Sequence, residues 1–534
     1  MKIISDNYER RFPLKYLLIA VLYFILRLVG ILHHEIWLDE MHHFLLARDS
    51  STFHELFYNA RYDGHPLLWD GILFLLTHFS HNPFYMQLLH IFISLAAIII
   101  FLRNAPFTDR IKVLLVFGYF MLYEYNIISR NYALSILLLF SACSLIFKSG
   151  RKYFEIIIVL LLLSYTHLFS LICSVSLFLI MIKLYAEEKG DKMTKIKFQL
   201  LCILFITFII VTLWSLVPPV DHLLVRYDNT PYLSFKRIGK GFSVFFKGFY
   251  HIPNFLKYSF WNTNFFVDYS KTYSVIPSII CFAIPFFLLF NNIRALLFFY
   301  FTALGIVAFI FWSPIIAGVR YFGFITLLFM IALWMSEYLT SSPPIFINKK
   351  ITEHILRFGN RYKSQFVYSF LIVQFISSAI VYSLDIVRPF SEGKAVAQYL
   401  KENKKTDHLI VVSLQSSGPS ICGYLDQKVY YPETNAMGSF CKWNTDPILI
   451  TKTELIARIK KLNFRELTLV VNDSTLDATE KLTEPVYSDD ELKIYYLTSF
   501  HQGIVRSENY RLYTVKRNSL FSIRSIRKEY RYAL

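Results

Sequence analysis

Long apolar runs alternate with short polar turns over the first three-quarters of the chain. Runs of spanning length, roughly 17 to 25 residues, lie near 14–32, 84–102, 111–128, 131–147, 168–185, 198–217, 274–290, 294–312, 318–338 and 366–384. A shorter run, 153–166, reads as the spanning partner of 168–185. Together these predict about eleven transmembrane helices. The stretch 66–79 follows Pro66, is short and amphipathic, and is expected to lie along the outer interface, with His65 at its head and Pro66 in its first turn.

The pattern changes near residue 388. A helix is expected at 393–403, a strand at 408–414 (HLIVVSL), a short strand at 428–432 (KVYYP), a helix at 452–463, and strands at 466–472, 492–498 and 511–516. Strands alternating with helices predict a small α/β domain with a partly parallel sheet. The chain therefore divides into a membrane part, 1–387, with a first outer loop at 33–83 and a large outer loop at 219–273, and a C-terminal part, 388–534.

Basic residues set the expected orientation. Arg10, Arg11 and Lys15 precede the first span, which lacks a small-residue cleavage site and is read as uncleaved. With the N-terminus cytoplasmic, every inner loop is basic: Arg103, Arg110 and Lys112; Lys148, Arg151 and Lys152; Lys183 to Lys197; Arg294; Lys349 to Lys363. Eleven spans from that start put the C-terminal α/β domain outside the cytoplasm. Segment 219–273 is the exception, carrying Arg226, Lys236, Arg237, Lys240, Lys247, Lys257 and Lys271 among many aromatics. It is expected to form amphipathic helices in the headgroup layer.

Composition agrees with a polytopic membrane protein: 534 residues, 55% hydrophobic, 18% aromatic and only 17% charged. The net charge of +17 is placed in the inner loops and against anionic lipid or phosphate. No soluble basic domain stands apart from the apolar segments, which argues against a nucleic-acid partner. Cys143, Cys173, Cys202 and Cys281 sit in apolar runs as packing residues. Cys422 and Cys441 lie in the polar C-terminal part, where an oxidising compartment would allow a disulfide.

The candidate chemistry lies at the outer ends of the spans. Six of the fifteen histidines fall between His33 and His65, beside Asp39 and Glu40 in IWLDEMHHF. On the predicted topology Asp39, Glu40, His65, Glu124, Arg130, His167 and Arg320 all map to one membrane face, and ionisable groups there are costly enough to suggest function. Asp39, at the edge of a low-dielectric cavity, is expected to have a raised pKa and act as a general base, with Glu40 beside it in catalysis or support. His65 in YDGHPLLW, Arg130 in YEYNIISRNYA and Arg320 in GVRYF are candidate phosphate contacts. Glu124, His167, Tyr132 and Tyr321 are candidates for the acceptor side or for support, the alternative for Glu124 being a structural pair with Arg130. The HH pairs at His33–His34 and His42–His43 lack the i, i+4 spacing of a helical metal site, which leaves a divalent metal open.

In the order and sidedness of IWLDE, GHPLLW, SRNYALSILLLF, SYTHLFSL and RYFGFITLLF, the chain resembles the GT-C class of membrane glycosyltransferases over roughly residues 10 to 385. It is most similar to the bacterial group that includes aminoarabinose, lipopolysaccharide-core and protein mannosyltransferases. The resemblance implies a bacterial inner-membrane enzyme that transfers a sugar, with inversion, from a polyprenyl-phosphate donor to an extracytoplasmic glycan, lipid or protein. In it Asp39 matches the first-loop catalytic Asp, Arg130 the basic residue after the third span, and His65 a donor-phosphate position. The alternatives weighed are a transporter or flippase of a lipid-linked anion, and a non-catalytic scaffold of envelope polysaccharide assembly.

Overall fold

The computed structural model describes residues 12–148, 150–188, 194–222, 235–269, 275–312, 318–339, 342–344, 348–444, 450–472 and 484–518. Seven of its helices are long and apolar enough to cross a membrane: Leu14–His33 (α1), Phe84–Asn104, Leu168–Glu187, Lys195–Ser215, Ile293–Phe311, Val319–Tyr338 and Lys349–Val387. Shorter apolar helices run over Leu68–Thr77, Tyr132–Ile146, Tyr153–Ser164 and Val275–Leu289. The bundle turns apolar side chains outward. Leu14, Leu17, Leu18, Val21, Leu22 and Ile25 are exposed on α1, as are Leu200, Ile203, Leu204, Ile206 and Ile210 on Lys195–Ser215. Such a surface suits lipid and not water. Val319–Tyr338, buried along most of its length, forms the centre.

Three expectations fail here for identifiable reasons. The run 111–128 is not one continuous helix. It is a helix, Asp109–Val116, that ends before Gly118 and resumes as a π-helical turn, Tyr119–Glu124. A Cβ at Gly118 would stand 2.9 Å from the Leu114 carbonyl oxygen, so the break needs glycine. Helix Phe235–Phe249 does not lie on the surface: Val244, Phe245 and Phe249 are buried in the bundle. Gly248 sits where a Cβ would be 2.6 Å from the Phe322 carbonyl oxygen, and small residues at such crossings let membrane helices pack closely. Arg226, Lys271 and the side chains of Lys236, Arg237 and Lys240 lie outside the described residues. Finally, the first outer loop is itself helical: Leu38–Arg48 (α2), Phe53–Ala60 (α3) and Leu68–Thr77 (α4). Pro66 and His65 therefore precede α4 instead of opening it.

The C-terminal part is a seven-stranded sheet of Leu409–Ser413 (β1), Val429–Tyr431 (β2), Ala436–Gly438 (β3), Glu466–Val471 (β4), Pro485–Ser488 (β5), Leu492–Phe500 (β6) and Tyr510–Arg517 (β7). Its order is β3-β2-β1-β4-β7-β6-β5. β1 is parallel to β2 and β4, in register from Leu409–Leu467 to Ser413–Val471, and the other pairings are antiparallel. Strands β3 and β5 and the helix Gly418–Leu425 are elements the sequence pattern does not announce. That helix packs on α2. Met41, Phe44 and Leu45 share one core with Ile421, Cys422 and Leu425, and a Cβ at Gly423 would lie 2.0 Å from the Met41 sulfur. Cys422 and Cys441 are both free thiols.

The same part grips the start of α2. Ile36 N donates to Tyr424 Oη at 2.8 Å, Phe390 N to Glu35 Oε2 at 2.8 Å, and Leu38 N to Glu508 Oε1 at 2.5 Å. Glu508 is buried, and burial pushes its carboxyl up to about 8, with Asp39 adding to the effect and the bonds from Ser391 and Leu38 opposing it. The folded protein thus keeps a proton that the unfolded chain releases near 4.5, so this contribution is full below that pH and is lost as pH rises through about 8. Glu508→Gln keeps an acceptor for Leu38. It should flatten the pH dependence of the melting temperature over this window and make the protein more stable than wild type above about pH 8, as read by thermal denaturation in detergent.

Candidate active site

The site grows from the entry to α2. After α1 the chain runs extended through 34–37 and then turns into the helix, putting Asp39 and Glu40 in its first turn. Glu40 is buried and turned back. Its Oε2 accepts from Trp37 N at 3.4 Å and lies 3.1 Å from His34 Nε2, while Oε1 accepts from Ser129 N at 2.5 Å. One carboxylate thereby caps α2 and ties it to the turn that carries Arg130. His34 Nδ1 meets Asp385 Oδ2 at 2.9 Å, fixing the end of α1 to the end of the long helix Lys349–Val387. Burial opposes charge on His34, but Asp385 and Glu40 outweigh it and hold its pKa at about 10.

Asp39 faces the other way, toward two arginines. Its Oδ2 is bonded by Arg130 Nη1 and lies 2.6 Å from Arg320 Nη1, so one oxygen bridges two guanidiniums. Arg320 also stands over the rings of Trp37 (5.9 Å) and Tyr321 (5.5 Å), and Arg130 over Tyr132 (5.8 Å). Burial pushes the Asp39 carboxyl up, but Arg320 and Arg130 outweigh it and hold it below the ordinary value. The raised pKa expected for Asp39 is therefore overturned: two cations lie within bonding distance.

A second cluster adjoins the bridge. Arg130 Nη2 is 3.4 Å from Nε2 of both His43 and His65. His43 Nδ1 is bonded to the buried Asp70 at 2.6 Å. Asp63 places Oδ2 3.4 Å from His43 Nε2 and 3.9 Å from His65 Nε2, and Oδ1 3.5 Å from His42 Nε2. Gly64, at φ 68°, makes the left-handed turn between Asp63 and His65. Burial lowers the His65 pKa to about 3; Asp63 opposes and Arg130 and His43 add, so its imidazole is neutral.

The remaining candidates divide by position. His167 caps Leu168–Glu187 by accepting from Phe169 N at 3.1 Å, and its ring lies 5.5 Å from that of His65 and 5.0 Å from that of Tyr132. Tyr132 and Tyr321 lie beside the arginines. Glu124 does not pair with Arg130; it accepts from Tyr119 Oη at 2.9 Å and Trp261 Nε1 at 3.1 Å. Asp63 and Asp70 escape the sequence reading, which raises His43 only as a possible metal ligand in an HH pair; the one signal for Asp63 is its spacing two residues from His65. Arg27 escapes it too. His90 Nε2 lies 2.9 Å from the Arg130 carbonyl oxygen, and Arg27 Nη2 lies 3.2 Å from His90 Nδ1. With the proton on Nε2, His90 donates to Arg130 and accepts from Arg27, forming a buried relay behind the turn.

No family model matches the sequence, and no curated protein matches it. Solved structures do. The chain is similar to ArnT from Cupriavidus metallidurans bound to undecaprenyl phosphate, at 12% identity and a TM-score of 0.49 over 93% of this chain and 97% of that one. The apo state of the same protein gives 12% and 0.48 over the same shares. The arabinofuranosyltransferase AftD from Mycobacteria gives 11% and 0.42, over 97% of this chain and 40% of that one.

If the relay holds the Arg130 turn, its two members act as one unit. His90→Phe and Arg27→Met should each cost about 1–3 kcal/mol for the polar groups they strand. The double variant should cost less than the sum of the two, as measured by denaturation of the purified protein in detergent.

Proposed function

We propose that the protein is an inverting glycosyltransferase that moves a sugar from a polyprenyl-phosphate donor to an extracytoplasmic acceptor glycan, lipid or protein. The observation that carries this reading is the bridge itself: one carboxylate held between two guanidiniums at the helix ends of an apolar bundle. Arginine pairs of this kind suit the oxygens of a phosphate. A lipid-linked donor brings its phosphate to the ends of the spans, where Arg130 and Arg320 sit, and leaves its tail in the bilayer. The resemblance to GT-C enzymes of the IWLDE and SRNYALSILLLF motifs, which carry Asp39 and Arg130, points the same way.

In this mechanism the donor phosphate takes the place of Asp39 between Arg130 and Arg320. Asp39, released from both cations, recovers the basicity they suppress. It takes the proton of the acceptor hydroxyl or amine as that atom attacks the anomeric carbon. The bond from that carbon to the phosphate oxygen breaks on the opposite face, and the departing polyprenyl phosphate gains negative charge that the guanidiniums stabilise. One displacement inverts the anomeric centre. Glu40 acts only through position, since its oxygens are committed to His34, Trp37 and Ser129. A flippase would place its charged groups near the bilayer midplane, whereas Asp39, Arg130, His167, Arg320 and Asp385 all lie within two residues of a helix end and Arg27, deeper in α1, is engaged by His90.

Asp39→Asn separates the two roles of the carboxylate. Transfer from polyprenyl-phosphate sugars should fall by about 10²–10⁴-fold, the usual worth of a general base. Affinity for polyprenyl phosphate should hold or tighten, because the arginines lose their internal partner, while Arg320→Met should weaken it. Purified protein assayed with a panel of acceptors gives the rates, and retention of full activity by Asp39→Asn would remove it as the base.

A further inference from the structure

Beside the Asp39 bridge stands a group the mechanism above does not use. Nε2 of His43, Oδ2 of Asp63 and Nε2 of His65 all lie within 4.8 Å of one another. We propose that His43, Asp63 and His65 bind a divalent transition metal of the zinc class.

Geometry argues first. The carboxylate oxygen is 3.4 and 3.9 Å from the two imidazole nitrogens. These separations exceed an ordinary hydrogen bond. The His43–Asp63 separation matches the edge of a tetrahedron whose metal–ligand bonds are about 2.0–2.1 Å, which is about 3.4 Å. The His65–Asp63 separation of 3.9 Å would have to close by about half an ångström on binding. Asp63 Oδ2 is buried and has no hydrogen-bond partner, and the same holds for Nε2 of the adjacent His42. A buried polar atom left in that state is costly; a bound cation would satisfy it, taking over the two imidazole nitrogens that Arg130 Nη2 now approaches at 3.4 Å.

The surroundings argue next. His43 Nδ1 is bonded to the buried carboxylate of Asp70 at 2.6 Å. That bond fixes the ring and turns the Nε2 lone pair toward Asp63, the carboxylate–histidine arrangement that supports metal ligands. Two imidazoles with one carboxylate suit zinc and its neighbours in the first row, whereas calcium and magnesium demand more oxygens. Three protein ligands also leave a coordination position for an outside oxygen. That this oxygen belongs to the donor phosphate rests on the glycosyltransferase reading; the metal site itself does not.

The test reads metal binding and not activity. The full-length protein, free of any histidine tag and stripped with chelator, is titrated in detergent with cobalt(II) and then with zinc. The expected result is one saturable equivalent, with the strong visible absorption of low-coordinate cobalt, displaced by zinc. Asp63→Asn and His43→Ala should each weaken it by at least about 100-fold, and Asp70→Asn by about 10–100-fold through loss of ring orientation. His33→Ala, which alters an exposed histidine outside the cluster, should bind as wild type. No saturable equivalent in the wild-type protein overturns the proposal, as does unchanged binding in Asp63→Asn and His43→Ala proteins that melt as wild type. Metal binding without glycosyl transfer would sustain this site and count against the enzyme reading alone.

Discussion

One oxygen of Asp39 held between Arg130 and Arg320 is the contact on which the rest of the site depends. The three residues come from separate parts of the chain and meet at the end of an apolar bundle, where an unpaired charge would be strongly penalised. Each therefore needs the others, and the surrounding structure holds them to a single geometry. Glu40 ties the first turn of α2 to Ser129, next to Arg130. His34 carries that tie on to Asp385. His90 holds the Arg130 carbonyl from behind. The bridge is a pairing of side chains built on a network of backbone anchors.

The segment after Val387 belongs to this network. Tyr424, Phe390 and Glu508 hold residues 35–38, the extended entry to α2. Cys441 N reaches His42 Nδ1 at 3.3 Å. Helix Gly418–Leu425 buries the apolar face of α2, and the contact at Gly423 is so close that a side chain there would collide with Met41. Asp39 is thus positioned by membrane helices on one side and by the helix and loops of the C-terminal part on the other. Changes in that part should therefore act on the site through α2.

Much of this was legible, for physical reasons. Spanning helices need long apolar runs, so most of them stand out in the sequence. Ionisable residues at the ends of such runs are rare and costly, which is how Asp39, Arg130, His167 and Arg320 could be singled out together. Other features leave little trace. The π-helical turn Tyr119–Glu124 lies inside an unbroken apolar run, and only Gly118 marks its start. Helix Phe235–Phe249 mixes lysines with aromatics, a composition shared by interfacial helices and by helices whose aromatic face is buried. The cluster of His43, Asp63 and His65 joins α2 to a turn before α4, so its spacing follows from folding and not from helical periodicity. The direction of the Asp39 shift depends on two arginines distant in sequence, which outweigh the burial that the sequence did suggest.

The charges at the site connect its two clusters. Asp39, Asp63 and Asp70 supply three carboxylates and Arg130 and Arg320 two guanidiniums. Burial opposes charge on His43, but Asp70 and Asp63 outweigh it and raise its pKa, so the two signs come near balance. Such a site is not, on that count, a strong attractor for a phosphate, even though its arginines have the right form. A dication on His43, Asp63 and His65 would add positive charge within a few ångströms of the guanidiniums. On this account metal and phosphate favour each other's binding, and the coupling is reciprocal. The resting bridge then has a further consequence. While Asp39 occupies both arginines, it neutralises the groups that a phosphate would seek, so an approaching anion must displace it. That displacement costs binding energy and frees the base only when a phosphate is present. The same contact that stabilises the folded site thereby keeps the proposed base quiet until a donor arrives.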